Sequence, residues 1–147
     1  MPVSVWTARR ASGIRAGITV SSVLVADGSP AEVLGVVDPL SAFCDAVGET
    51  GRFLVHLLAS EQSHLADKFA LRVPGDPFED EALQSSAWGP ALVNVSTRVA
   101  CTLLTSSDAG YGQLLRGRID ELELDERATQ PLVYYRGGYR TLRPLRG

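Results

Sequence analysis

The sequence is short of the side chains that most enzymes use for proton transfer, nucleophilic attack or metal binding. Its 147 residues include two histidines, two cysteines and, among 14 cations, a single lysine, Lys68. Cys44 and Cys101 lack C-x-x-C spacing and only His56 and His64 accompany them, so no metal site is expected. They read as reduced core thiols of a cytoplasmic protein. No G-x-S-x-G elbow, no phosphate-binding P-loop and no G-x-G-x-x-G after a strand occurs. No apolar run approaches the ~18 residues of a membrane span. The start, Met1-Pro2-Val3-Ser4-Val5-Trp6, lacks a basic region followed by an apolar one, so no signal peptide is expected. A net charge of −3, with 13 scattered arginines, leaves no footprint for nucleic acid.

What is present is ordinary for a soluble domain: 45% apolar and 21% charged residues. At this length residues 1–147 make one domain, able to bury roughly two thirds of its unfolded surface. Val3 to Thr7 reads as a short strand and residues 14 to 26 as a longer one. Asp27-Gly28-Ser29-Pro30 is a turn, after which Glu32 to Val37 returns as the partner of the preceding strand. Phe53 to Leu58 is nearly continuous apolar, as a strand covered on both faces would be; His56 within it reads as a core histidine. Ser60 caps a helix whose inner face carries Leu65, Ala66, Phe69 and Ala70. Residues 71 to 91 read as an irregular excursion with a short helix near Glu79 to Leu83, and Trp88 as cover for a core or an interface. Leu92 to Leu104 alternates as a strand, and Ser106 to Gly112 is a turn. The next strand changes phase between Ile119 and Leu122, which implies a bulge near Asp120. Asp125 to Gln130 is a polar loop, and Leu132 to Tyr139 is a terminal hairpin turning at Gly137-Gly138. Many short strands and two or three peripheral helices make the fold all-β, an antiparallel barrel of six to seven strands.

Two segments suggest ligand chemistry. In Gly17-Ile18-Thr19-Val20-Ser21-Ser22, Thr19 and Ser21 share a strand face beside a glycine. A ligand can come close to such a backbone and meet small hydroxyl donors. Ser41 stands before an i, i+4 apolar pair, Phe43 and Val47, as the N-cap of a helix of about 9 residues ending at Gly51. A helix start offers free N–H groups that suit a phosphate.

The order of these segments resembles the flavin reductase-like family of FMN-binding split barrels. The resemblance runs from Gly17 to Ser22, through Asp38-Pro39-Leu40-Ser41, Thr50-Gly51-Arg52-Phe53, Leu65 to Ala70 and Trp88-Gly89-Pro90, to Pro131 through Tyr139. It implies FMN, or alternatively FAD, bound through Thr19, Val20, Ser21, Ser22 and Ser41, with NAD(P)H as hydride donor. It further implies a homodimer with flavin between subunits, and a flavin-dependent monooxygenase as a partner for the reduced flavin. Two departures stand out. Relatives carry a Thr two residues after the capping Ser, where this chain has Phe43. Many carry a Gly-Asp-His segment where this chain has Gly110-Tyr111-Gly112, which leaves Tyr111 as the candidate residue beside flavin and nicotinamide. A tyrosine, with its pKa near 10, cannot shuttle protons at neutral pH as histidine can. The expectation is therefore a flavin reductase-like oxidoreductase, with a flavin-binding module lacking turnover, or a small structural dimer, as alternatives.

Overall fold

Alternating apolar residues build most of the strands, and turn chemistry divides them. The computed structural model describes residues 1–125, 130–142 and 145. In chain order the elements are β1 Ser4–Arg9, β2 Arg15–Val20, β3 Leu24–Ala26, β4 Glu32–Val37, α1 Ala42–Thr50, β5 Arg52–Leu57, α2 Ser63–Phe69, β6 Leu83–Ser86, β7 Gly89–Leu92, β8 Thr97–Ala109, β9 Gly112–Glu123, β10 Leu132–Tyr135 and β11 Gly138–Thr141. Seven strands form one antiparallel sheet in the order β2-β1-β5-β8-β9-β4-β3, and β6-β7 and β10-β11 are separate hairpins.

The sheet curls around one core. Trp6 of β1 stacks on Phe53 of β5, ring centroids 5.1 Å apart, and meets Phe43 of α1 edge-on at 6.1 Å. Ala16 and Val20 of β2, Val33 and Val37 of β4, Cys101 of β8 and Leu115 of β9 complete this cluster. Gly35 is required here: a Cβ on it would lie 2.5 Å from the Trp6 ring. A second core lies outside the sheet, where Val3 and Val5 meet Leu65, Ala66 and Phe69 of α2, Phe78, Leu92 and Leu132.

Several expectations hold in detail. α1 has 9 residues, the Ser41 hydroxyl accepts from the Cys44 N–H at 3.1 Å, and Gly51 closes it with φ +70°. Ala100 pairs with Glu121 and Cys101 with Ile119, so Asp120 is the extra residue of a bulge. Its carboxylate holds the indole N–H of Trp88 at 3.0 Å and the hydroxyl of Thr102. His56 is fully buried and doubly bonded, Nδ1 to the Val5 carbonyl and Nε2 accepting from the Leu92 N–H, each at 3.0 Å.

Other expectations need correction. The strand foreseen over residues 14 to 26 is two strands. β2 pairs with β1 and only β3 pairs with β4, because Ser22 leaves the ladder and its hydroxyl bonds the N–H and C=O of Val36 instead. No helix forms near Glu79 to Leu83: 77–80 is a turn and Leu83 begins β6. The strand foreseen over Leu92 to Leu104 is divided: β7 ends at Leu92, and β8 runs from Thr97 through the expected turn to Ala109. A 3₁₀ turn at Ser60–Gln62 precedes α2, and the cap bond is made by Gln62 Oε1 to the Ala59 N–H, not by Ser60. The loop expected from Asp125 to Gln130 lies mostly outside the described residues.

Candidate functional site

β2 is one edge of the sheet, and its register decides what that edge offers. The Arg10 N–H bonds the Ile14 carbonyl. With β1 and β2 paired as Arg9 to Arg15, Thr7 to Gly17 and Val5 to Thr19, the alternation of an antiparallel ladder makes these three pairs the non-hydrogen-bonded ones. The N–H and C=O groups of Arg15, Gly17 and Thr19 therefore point off the sheet. They face a cleft of about 560 Å³, whose other walls are Asp38 to Ala42 at the start of α1 and Phe69 to Leu71 and Asp76 to Phe78 after α2. Gly17 shapes the floor: a Cβ there would lie 2.6 Å from the Phe69 ring, which is itself wedged edge-on against Phe78 at 5.0 Å.

Of the side chains singled out between Thr19 and Ser22 and at Ser41, two line this cleft and three do not. Thr19 lines the cleft, and its hydroxyl donates to the Ala66 carbonyl of α2 at 2.6 Å. Ser41 also lines it, with its one donor used: it donates to the Asp38 carbonyl at 2.7 Å and accepts from the Cys44 N–H. What the start of α1 still offers is the backbone N–H of Ala42 and Phe43. Val20 is buried in the inner core, its backbone is paired with Ser4 of β1, and its carbonyl also accepts from the Ser4 hydroxyl at 2.8 Å, so it offers the cleft nothing. Ser22 is tied to Val36. Ser21 is the exception: among the described residues its hydroxyl has no partner. It lines a second recess of about 220 Å³ with Val3, Thr19, Arg72, Tyr134 and Tyr139. There the Tyr139 hydroxyl donates to Asp67 at 3.0 Å, and burial together with that carboxylate raises its pKa.

Tyr111 lines none of these clefts. It stands fully exposed in the two-residue turn between β8 and β9. It does not pack on its own barrel, and within one chain it meets no ring-binding site.

Sequence reasoning missed Arg15, Asp76 and Phe78. Arg15 lies at i−2 and i−4 from Gly17 and Thr19, the spacing of one strand face, and its guanidinium stacks on Phe78 with its carbon 5.2 Å from the ring centre. That spacing was the signal available. The contribution of Asp76 and Phe78 depends on the course of an irregular loop and left none. Neither histidine reaches the cleft: His56 is sealed in the core and His64 is exposed on α2. Among the described residues no group of three or more His, Cys, Asp or Glu side chains converges as metal ligands.

Comparison with known proteins decides the family. The model of the flavin reductase like domain matches residues 1–143. The chain belongs to that family. It is 33% identical over 130 residues to the NADH-dependent FMN reductase AsuE2 of Streptomyces nodosus subsp. asukaensis, spanning 86% of this chain and 70% of that protein. It is 29% identical to HsaB of Rhodococcus jostii, the reductase subunit of a flavin-dependent monooxygenase, over 76% of this chain and 60% of HsaB. Among solved structures, a nitrilotriacetate monooxygenase component B homologue from Mycobacterium thermoresistibile superposes with a TM-score of 0.86 at 28% identity, covering 97% of this chain and 80% of that one. In this chain the segment Gly17 to Ser22, on which the resemblance begins, contains most of the free edge of β2.

Proposed function

We propose that this protein is an NAD(P)H-dependent flavin reductase that takes FMN, or alternatively FAD, in the cleft along β2. It works in the cytoplasm as a homodimer of split barrels and hands reduced flavin to a flavin-dependent monooxygenase. The observation that carries the reading is the free backbone edge of Arg15, Gly17 and Thr19 in a cleft of about 560 Å³. The pyrimidine edge of a flavin ring alternates carbonyl and N–H groups, and an unpaired strand edge offers the complementary alternation. Flavin supplies the redox chemistry when bound; the protein binds and orients it. Thr19 fixes the wall by bonding α2, Gly17 lets the Phe69 ring pack directly on the backbone of β2, and Ser41 holds the first turn of α1 so that the N–H groups of Ala42 and Phe43 face an anionic group. Ser21 keeps a free hydroxyl at the far end.

A second reading, a flavin-binding module without turnover, is favoured by one observation. No histidine lines the cleft, and Tyr111, in place of the relatives' Gly-Asp-His segment, faces solvent. Two measurements separate the readings. Flavin fluorescence should be quenched at micromolar apo protein, and a flat titration would sink both. NADH oxidation with added FMN should then proceed catalytically. Saturable flavin binding without NADH or NADPH oxidation would leave the binding module.

A further inference from the structure

Beyond the flavin cleft, the groove along β2 continues past Arg15. A second cleft, of about 520 Å³, is lined by Arg9, Arg15, Asp76, Phe78, Gln84 and Ser85, among others, and shares Arg15, Asp76 and Phe78 with the first. We propose that this second cleft receives the phosphate-bearing adenylate half of a dinucleotide whose reactive ring lies in the first cleft. The inference rests on the flavin reading above and extends it to a second subsite.

Three observations carry it. The clefts are contiguous, so a ligand longer than a mononucleotide can lie across both. Their shared wall is a weak divider: Arg15 and Asp76 are 3.7 Å apart with side chains 40% and 54% exposed, a pairing that contributes between nothing and ~1 kcal/mol. A ligand phosphate can displace that carboxylate from Arg15, while the stacking of the guanidinium on Phe78 holds it in place. Finally, Arg9 is uncommitted to any carboxylate among the described residues. It donates to the Gly13 carbonyl at 3.1 Å and, at the 3.5 Å limit, to Ser85 Oγ. Two guanidinium groups on residues paired across neighbouring strands, Arg9 of β1 and Arg15 of β2, one without an acid and one with a loosely held acid, suit a pyrophosphate or ribose phosphate, which arginine binds through paired donors.

Two sources can present this chemistry, FAD and the nicotinamide dinucleotide, and the experiment separates them. Arg9 is the residue to change because it lines the second cleft and not the first. Arg9→Gln, with Arg9→Lys as the charge-retaining control, is titrated with FMN and FAD, and its KM is measured for NADH and for reduced nicotinamide mononucleotide. The expected result is a loss of about five- to ten-fold for a dinucleotide, the size of one charge-assisted contact, with its mononucleotide counterpart unchanged. Loss confined to FAD assigns the cleft to the flavin, and loss confined to NADH assigns it to the hydride donor. Equal response of dinucleotide and mononucleotide, or no response of either, overturns the proposal. ADP alone, followed calorimetrically, keeps the test independent of flavin. Wild-type protein should bind it more tightly than Arg9→Gln, and absence of binding at millimolar ADP overturns the subsite. If ADP binds through Arg9 while FMN does not bind at all, the flavin reading fails and the phosphate subsite stands.

Discussion

His56 shows how a residue type associated with catalysis can be structural. Burial holds its pKa down, at about 4, against the Val5 bond, which raises it, while Arg98 adds to the lowering. The two bonds require the neutral ring with the proton on Nδ1. The unfolded chain takes up a second ring proton near pH 6.5, whereas the folded chain resists it until about 4. Stability from this group is therefore complete above pH 6.5 and declines as the pH falls toward 4, by about 3 kcal/mol in all. Urea unfolding at pH 7.5 and pH 5 should show about 2 kcal/mol of this loss in the wild type, and His56→Leu should lack that slope while being less stable at pH 7.5. A slope unchanged in the variant would refute the assignment. Thr19 is a milder case. The Ala66 carbonyl also accepts from the Ala70 N–H at 3.0 Å, so Thr19→Val leaves it partnered and should cost about 1 kcal/mol. Tyr111→Ala should leave the melting temperature of the apo protein unchanged, since an exposed turn residue with no contacts contributes within about 0.5 kcal/mol. A loss of several degrees would show that the ring packs after all.

At the scale of elements, β2 and α1 make the cleft, and each can be perturbed alone. Gly17→Ala forces a methyl into the Phe69 ring, which Phe78 prevents from retreating. Overpacking of this kind should destabilise by about 1 to 3 kcal/mol, and the same methyl narrows the floor of the cleft, so flavin affinity should fall with stability. Retained affinity in a folded variant would place the ligand elsewhere. The start and stop of α1 were legible in the sequence because they depend on local chemistry, Ser41 at one end and Gly51 at the other. The bulge at Asp120 was legible because a phase change in apolar residues has few other causes. The break between β2 and β3 was not, since Ser21 and Ser22 continue a good strand pattern. Only the side-chain bond from Ser22 to Val36, 14 residues away, shows why the ladder stops. The site was half legible for the same reason. Of the residues singled out, Thr19 and Ser41 line the cleft and Val20, Ser21 and Ser22 do not; a sequence cannot show that Thr19, Ser22 and Ser41 spend their hydrogen bonds on backbone, nor that the register of β2 turns the backbone of Arg15, Gly17 and Thr19 outward.

For the whole molecule, the sheet has two edges with different fates. The β2 edge is enclosed in the cleft, whereas β3 is exposed at all three residues. The outer face beside it is partly apolar: Leu24 pairs with Leu34, and Val36 with Leu114, on the side away from the core, next to the Arg116–Glu32 ion pair. Leu24 is 62% and Val36 39% exposed. An unpaired edge joined to an apolar face invites a second copy of the sheet, and this face begins at Ser22, directly after the segment that serves the cleft. The homodimer proposed above would cover it, set Tyr111 against the other subunit and place that subunit beside the ligand. The protein should then sediment at micromolar concentration as twice its 15.7 kDa mass. Leu24→Lys with Val36→Lys puts two charges on the face without entering the inner core. The double variant should sediment as a folded monomer and bind flavin more weakly than the wild type, although neither residue lines the cleft. A wild type that is already monomeric would refute the dimer. A monomeric variant with full flavin affinity would keep the dimer but show that one chain completes the site, leaving the exposed Tyr111 without a role in binding.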